Sequence, residues 1–165
     1  MLTNDLTENE IIDLLADFLE PIIGKCSQSW GNKVPMDQGQ FAMLSPLRFI
    51  RHTTTKATRM SDDSEGLSVV RQYDVQVDIY GDGAGDRAVA LETVWASDYA
   101  YRKMKLDGRV VPLYASDAMK SPFVDESKQW LDRYIITLSM QVHIMITVGQ
   151  DYFADVEFST VQVNK

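Results

Sequence analysis

The chain has 165 residues, 45% of them hydrophobic and 24% charged, and its 24 acidic against 16 basic residues leave a formal net charge of -8. That length fits a single domain over residues 1–165 with a sizeable core, and the acidic balance opposes general binding to a nucleic acid backbone or an anionic membrane. One cysteine, Cys26, excludes an internal disulfide and brings no second thiol for a metal; with no leader pattern and no apolar run near the ~20 residues of a membrane span, the sequence predicts assembly in the cytosol.

Thr7 and Glu10 form a capping-box pattern ahead of Ile11, Leu14, Leu15, Phe18 and Ile22, predicting a helix over residues 7–20 that Pro21 ends or kinks. Residues 25–40 read as a polar connector. Within it Trp30 packs over the core edge or, alternatively, meets a partner. From Phe41 the chain is β-rich, and Arg48, Arg51, Lys56 and Arg59 make its one basic island, read either as a solvated strand face or as a docking surface. Residues 61–66 form the loop of a β-hairpin.

The strand over residues 71–80 alternates strictly. Tyr73, Val75, Val77 and Ile79 fall on one face, built for a core, while Gln72, Asp74, Gln76, Asp78 and Tyr80 fall on the other, expected to meet water or a partner. After Gly81 and Gly83, Ala84, Ala88, Leu91, Trp95 and Tyr99 make one stripe of a single amphipathic helix, with acids near its start, Arg102, Lys103 and Lys105 near its end, and Gly108 as its stop. Residues 109–115 follow as a short edge strand containing Pro112, and residues 116–127 read as irregular. The longest signal places Tyr134, Ile136, Leu138, Met140, Val142, Ile144, Ile146 and Val148 on one face of a strand well beyond the usual ~5–6 residues, one that bends or leaves the domain. A turn at residues 149–151 and a final strand over residues 153–163, pairing back on it, complete the reading.

The sequence carries no convincing catalytic or metal constellation. Gly81, Gly83 and Gly85 sit between a strand and a helix, as in a dinucleotide fingerprint, but the third glycine comes one residue early, Asp82 and Asp86 would face a pyrophosphate, and Asp107 does not end an apolar strand. The carboxylates of Asp74 and Asp78 lie about 13 Å apart along one strand face, too far for paired acid–base work. His52 and His143 fall in different strands without ligands at metal spacing, and no serine has a nucleophile-elbow context. An enzyme, using the Gly81–Gly85 turn for a nucleotide, stays as a second class of function.

Several segments, from residue 30 onward, resemble the neck and tail terminator proteins of contractile-tailed bacteriophages. They are Trp30-Gly-Asn-Lys-Val-Pro35, Phe41-Ala-Met-Leu-Ser-Pro-Leu47, Gln76-Val-Asp-Ile-Tyr-Gly81, Asp132-Arg-Tyr134 with its long strand, and Gln150-Asp-Tyr-Phe153. Asp37 stands where that pattern would place a second proline. The resemblance implies a structural virion protein without cofactor, catalytic or metal site: a ring, usually a hexamer, at the head-proximal end of the tail. Such a ring stops polymerisation of the tail tube and sheath and joins the tail to the neck or head-completion protein, while genomic DNA passes through its lumen without specific binding. A head-completion or adaptor protein of the neck is the neighbouring possibility.

The fold expected is α+β, an N-terminal and a central helix on a largely antiparallel sheet whose exposed strand edges suit pairing between subunits. Partner-facing residues are placed on the basic strand and hairpin: Arg48, Arg51, Arg59, Asp62, Asp63 and Glu65.

Overall fold

The computed structural model describes residues 4–29, 37–104, 108–124 and 128–149. It is an α+β fold whose order is α1 (Glu8–Ile23), β1 (Lys25–Gln28), β2 (Phe41–Arg51), β3 (Lys56–Arg59), β4 (Ser64–Tyr80), α2 (Ala84–Trp95), α3 (Asp98–Met104), β5 (Val110–Ala115), β6 (Met119–Lys120), β7 (Phe123–Val124), β8 (Trp130–Leu131) and β9 (Arg133–Gly149). The main sheet runs β1-β2-β4-β9-β5, with β3 beside β4 and β6 beside β9; among the described residues its β1–β2 pairing is parallel and the others are antiparallel. At its centre β4 and β9 pair over 17 residues each, from Ser64 opposite Gly149 to Tyr80 opposite Arg133.

One face of this sheet carries the helices. Tyr73, Val75, Val77 and Ile79 of β4 and Ile136, Leu138, Met140 and Val142 of β9 are fully buried there, against Ile11, Leu15, Leu19 and Ile23 of α1 and Ala88, Leu91 and Trp95 of α2. Each large side chain so buried contributes about 1.5–3 kcal/mol by leaving water. Phe49 stacks on Tyr73 with ring centroids 4.2 Å apart, and Phe18 meets Trp95 edge-on at 5.9 Å.

The start of α1 forms as predicted. Thr7 Oγ1 accepts from the backbone N–H of Glu10, and the Glu10 carboxylate accepts from the Thr7 backbone and hydroxyl. Its end differs: the helix passes through Pro21 to Ile23. The proline is exposed and costs one hydrogen bond in the last turn, while a further turn buries Ile23 completely. Arg87 of α2 then caps that end, Nη1 donating to the Ile23 carbonyl at 2.5 Å and Nη2 to the Tyr80 carbonyl at 2.7 Å. The connector expected over residues 25–40 begins instead as β1, which Asp37 ties down by accepting from Lys25 Nζ at 2.6 Å and Ser27 Oγ at 2.7 Å. Trp30 lies outside the described residues.

The central helix is two helices. Ser97 turns its hydroxyl back on the Val94 carbonyl at 2.5 Å, and its own N–H bonds the same carbonyl, which tightens and ends α2. The buried stripe continues through Ala100 and Met104 of α3, so Tyr99 leaves it and stands half exposed beside Phe18. The hairpin loop is shorter than read, because β4 already begins at Ser64. Residues 116–127, read as irregular, contain β6 and β7. The edge strand β5 carries a bulge between Pro112 and Tyr114. Residues 153–163 lie outside the described residues; the edge of β9 that they were expected to pair with is partly taken, since Asn4 bridges Ile146 and the Asp5 N–H bonds the Met145 carbonyl at 2.9 Å.

Candidate functional site

No described helix packs on the second face of the sheet, and here one expectation is corrected. Three of the alternating Gln and Asp residues of β4 are shut away from water, Asp74 being 2%, Asp78 4% and Gln72 6% exposed, while Gln76 stays partly exposed. Cross-strand register supplies their cover. Arg48 of β2 stands opposite Asp74, Asp74 opposite Ser139 of β9, and Ser139 opposite Tyr114 of β5, one row across four strands.

Asp74 Oδ2 accepts from Arg48 Nε at 2.9 Å, and its Oδ1 accepts from Gln72 Nε2 and Ser139 Oγ, each at 2.7 Å. The Gln72 amide also donates to the Tyr114 hydroxyl at 2.8 Å, and its carbonyl lies 3.2 Å from His52 Nε2. Burial pushes the Asp74 carboxyl up, but the hydrogen bonds from Gln72, Ser139 and Arg48 outweigh it and hold the group below the usual carboxylate range. In a second row, Asp78 Oδ1 takes Arg133 Nη2 at 2.7 Å and Nε at 3.0 Å, while Gln76 Nε2 reaches Oδ2 at 2.9 Å. Each buried carboxylate thus has its own guanidinium, the condition for keeping a charge out of water.

Beyond Asp78 the face turns aromatic. Phe41 stacks on Tyr80 at 4.6 Å, Phe123 meets Tyr80 edge-on at 5.4 Å, and the Arg133 guanidinium lies 5.7 Å from the Tyr80 ring. Its border exposes large apolar groups: Tyr114 in the Asp74 row, Met119 opposite Ile135 in the Asp78 row, and Trp130 of β8, which is 75% exposed. A polar, internally satisfied surface rimmed by exposed aromatic and thioether side chains has the make-up of a protein-contact surface.

The six residues expected to face a partner do not form one patch. Arg48 belongs to the Asp74 row. Arg51 falls on the other side, opposite Arg71 of β4, and donates to the Thr53 carbonyl and the Thr55 hydroxyl at 2.8 Å each. Arg59, Asp62, Asp63 and Glu65 do gather at the tip of the β3–β4 hairpin. There Arg59 Nη2 bonds Asp62 Oδ1 at 2.7 Å, Asp63 accepts from Ser61 Oγ at 2.6 Å, and Ser61 and Ser64 share a short hydroxyl contact. Sequence reasoning missed Asp74, Gln72, Ser139, Tyr114, Asp78 and Arg133. A hint was present, since the outward positions of β4 carry short Asp and Gln side chains and no lysine or glutamate.

The glycines of the strand–helix turn have packing reasons. A Cβ on Gly81, whose φ is 91°, would lie 2.3 Å from the Gly39 carbonyl oxygen, Gly83 is left-handed at the α2 N-cap, and a Cβ on Gly85 would lie 3.0 Å from Cζ of the Tyr134 ring. Burial and the nearby Glu20 raise the Cys26 thiol to about 12, so it stays protonated. Among the described residues no group of three or more His, Cys, Asp or Glu side chains is close enough to hold a metal ion.

Compared with known protein families, residues 9–164 match one described as "Phage neck terminator protein". No curated protein matches the chain.

Proposed function

The chain belongs to the phage neck terminator protein family, whose named role is structural, and we propose that within it the protein forms a homo-oligomeric ring of about six copies. This ring sits at the head-proximal end of the tail, ends growth of the tail tube, and of the sheath where one is present, and presents its other side to the neck or head-completion protein. The protein assembles in the host cytoplasm and ends in the virion.

The observation that carries this reading is the sheet face without helices. Its buried charges are already neutralised by Arg48 and Arg133, and the large apolar groups it exposes are Tyr114, Met119 and Trp130. Such a face can be covered by another protein without stranding a charge. Arg48 on this face and the hairpin tip, Arg59 with Asp62, Asp63 and Glu65, are assigned to contacts along the tail axis; register sets Arg59 and Glu65, like Arg51, on the helix side of the sheet. A net charge of -8 suits a lumen that passes DNA without holding it. Among the described residues no helix is long and apolar enough to cross a membrane.

The test is tube growth. Tail tube protein polymerised with this chain present is expected to give tubes that stop elongating and bear extra density at one end. Tubes whose lengths and ends are the same with and without it overturn the terminator reading, and retention on filled heads instead would place the protein on the head side of the neck.

A further inference from the structure

The shared end of β4 and β9 runs past the main helical cover, and on the helix side it leaves a cleft of about 320 Å³. Its apolar floor is made by Leu6, Phe49, Val69, Ile144 and Ile146. At its edge the register sets Arg51 directly opposite Arg71. Like charges in that position repel, and neither guanidinium meets a carboxylate among the described residues. Arg51 bonds only the Thr53 carbonyl and the Thr55 hydroxyl, and Glu8, which also lines the cleft, accepts instead from the Tyr73 hydroxyl at 2.6 Å. Apolar floor and unneutralised arginine pair together define the missing occupant as an extended segment carrying both large apolar and acidic side chains.

The chain contains one such segment outside the described residues. Residues 150–165 follow directly on Gly149 and place Phe153, Val156 and Phe158 among Asp151, Asp155 and Glu157, with no basic residue before Lys165. Gly149 lies at the outer end of the β4–β9 ladder, opposite Ser64. A return along the outer edge of β9 in the same subunit meets occupied positions: the His143 N–H bonds the Arg109 carbonyl at 2.8 Å, the Met145 carbonyl accepts from Asp5, the Met145 N–H bonds Asp5 Oδ1 at 2.7 Å, and Asn4 bridges Ile146. Sixteen residues extended reach roughly 50 Å, comparable with the length of the ladder itself and enough to reach an adjacent copy.

We propose that residues 150–165 of one copy dock in this cleft of the next copy, with Val156 and Phe158, which share one face of an extended segment, on the apolar floor and Asp155 and Glu157 on its other face against Arg71 and Arg51, respectively. The contact is head-to-tail, each subunit giving a segment and receiving one, the kind of interface that closes into a ring when the rotation permits. The inference rests on the ring reading above and supplies its linkage.

Two measurements test it. In a Cys26→Ser background, Val69→Cys with Phe158→Cys should give, on mild oxidation, a ladder of disulfide-linked multimers on a denaturing gel. An intrachain product alone, or no crosslink, overturns the proposal. Deleting residues 150–165 should convert the native ring to monomer while leaving the thermal midpoint nearly unchanged, and Arg71→Glu should weaken association about tenfold or more and be rescued by Asp155→Arg. If the truncated chain still forms the ring, the linkage is wrong and the ring stands. If the full-length chain stays monomeric even with tail tubes present, the ring and its linkage fall together.

Discussion

On the helix side of β4, Tyr73, Val75, Val77 and Ile79 meet α1 and α2, whereas on the other side the intervening Gln72, Asp74, Gln76 and Asp78 meet one another and side chains of neighbouring strands. Both faces come from one strand in one register, and both bury most of these β4 residues, Gln76 being the partly exposed one. The first is closed by apolar area, the second by hydrogen bonds from long residues on flanking strands, with Arg48, Tyr114 and Arg133 serving as lids. The difference teaches that burial in this fold has two sources, and that only one of them needs a second layer of structure.

The two faces should therefore fail differently. The largest loss is expected on the helix side. Trp95→Ala leaves a cavity at a fully buried site and deletes the 3.2 Å bond from the indole N–H to the Tyr114 carbonyl, for about 3–5 kcal/mol in denaturant unfolding. A loss below about 1 kcal/mol would break the comparison, since it would mean the helices do not close that face.

Arg133→Ala tests the other face. It leaves Asp78 buried with only Gln76 as partner, at a cost of about 1–3 kcal/mol by the same measurement. Arg133→Ala with Asp78→Leu should recover most of that loss, because replacing both partners by apolar groups avoids the stranded charge. The double variant remaining as weak as the single one would contradict the pairing.

Acid sharpens the contrast further. The Asp74 carboxyl is held below its unfolded value, so its contribution is complete above the unfolded pKa near 4 and disappears as pH falls through the lower folded value. Asp74→Asn should accordingly flatten the stability curve below about pH 4, whereas Leu138→Ala should lower the curve evenly at every pH. The smallest effect belongs to the hairpin tip. Arg59→Ala removes an exposed pair with Asp62, where chemical denaturation should move by less than about 0.5 kcal/mol. A tip variant that leaves stability alone but abolishes joining to tails would mark that loop as a contact made for a partner.

The helix side was legible in the sequence because period-2 alternation in Tyr73 to Ile79 and Ile136 to Val142, and the capping box at Thr7, are local signals that tertiary structure did not override. Pro21 and Ser97 were less legible. Whether a helix survives a proline depends on what the next turn buries, here Ile23, and whether it breaks at a serine depends on where that hydroxyl turns. The polar face was unreadable for a different reason. Asp74 looks like a solvated strand residue until Arg48, Ser139 and Tyr114, which lie 26, 65 and 40 positions away in the chain, are brought to it by register. Arg48 and Arg51 part for a local reason: they stand three positions apart on a regular stretch of β2, and alternation sends the two side chains to opposite faces.

The central claim, that this chain works as a ring closing the tail, is tested most directly by the native mass of the full-length protein together with negative-stain images of the same sample. A closed ring of about six copies with a central hole is the predicted result. A strict monomer at high concentration that stays monomeric, and leaves tube ends bare, after tail tubes are added would contradict it.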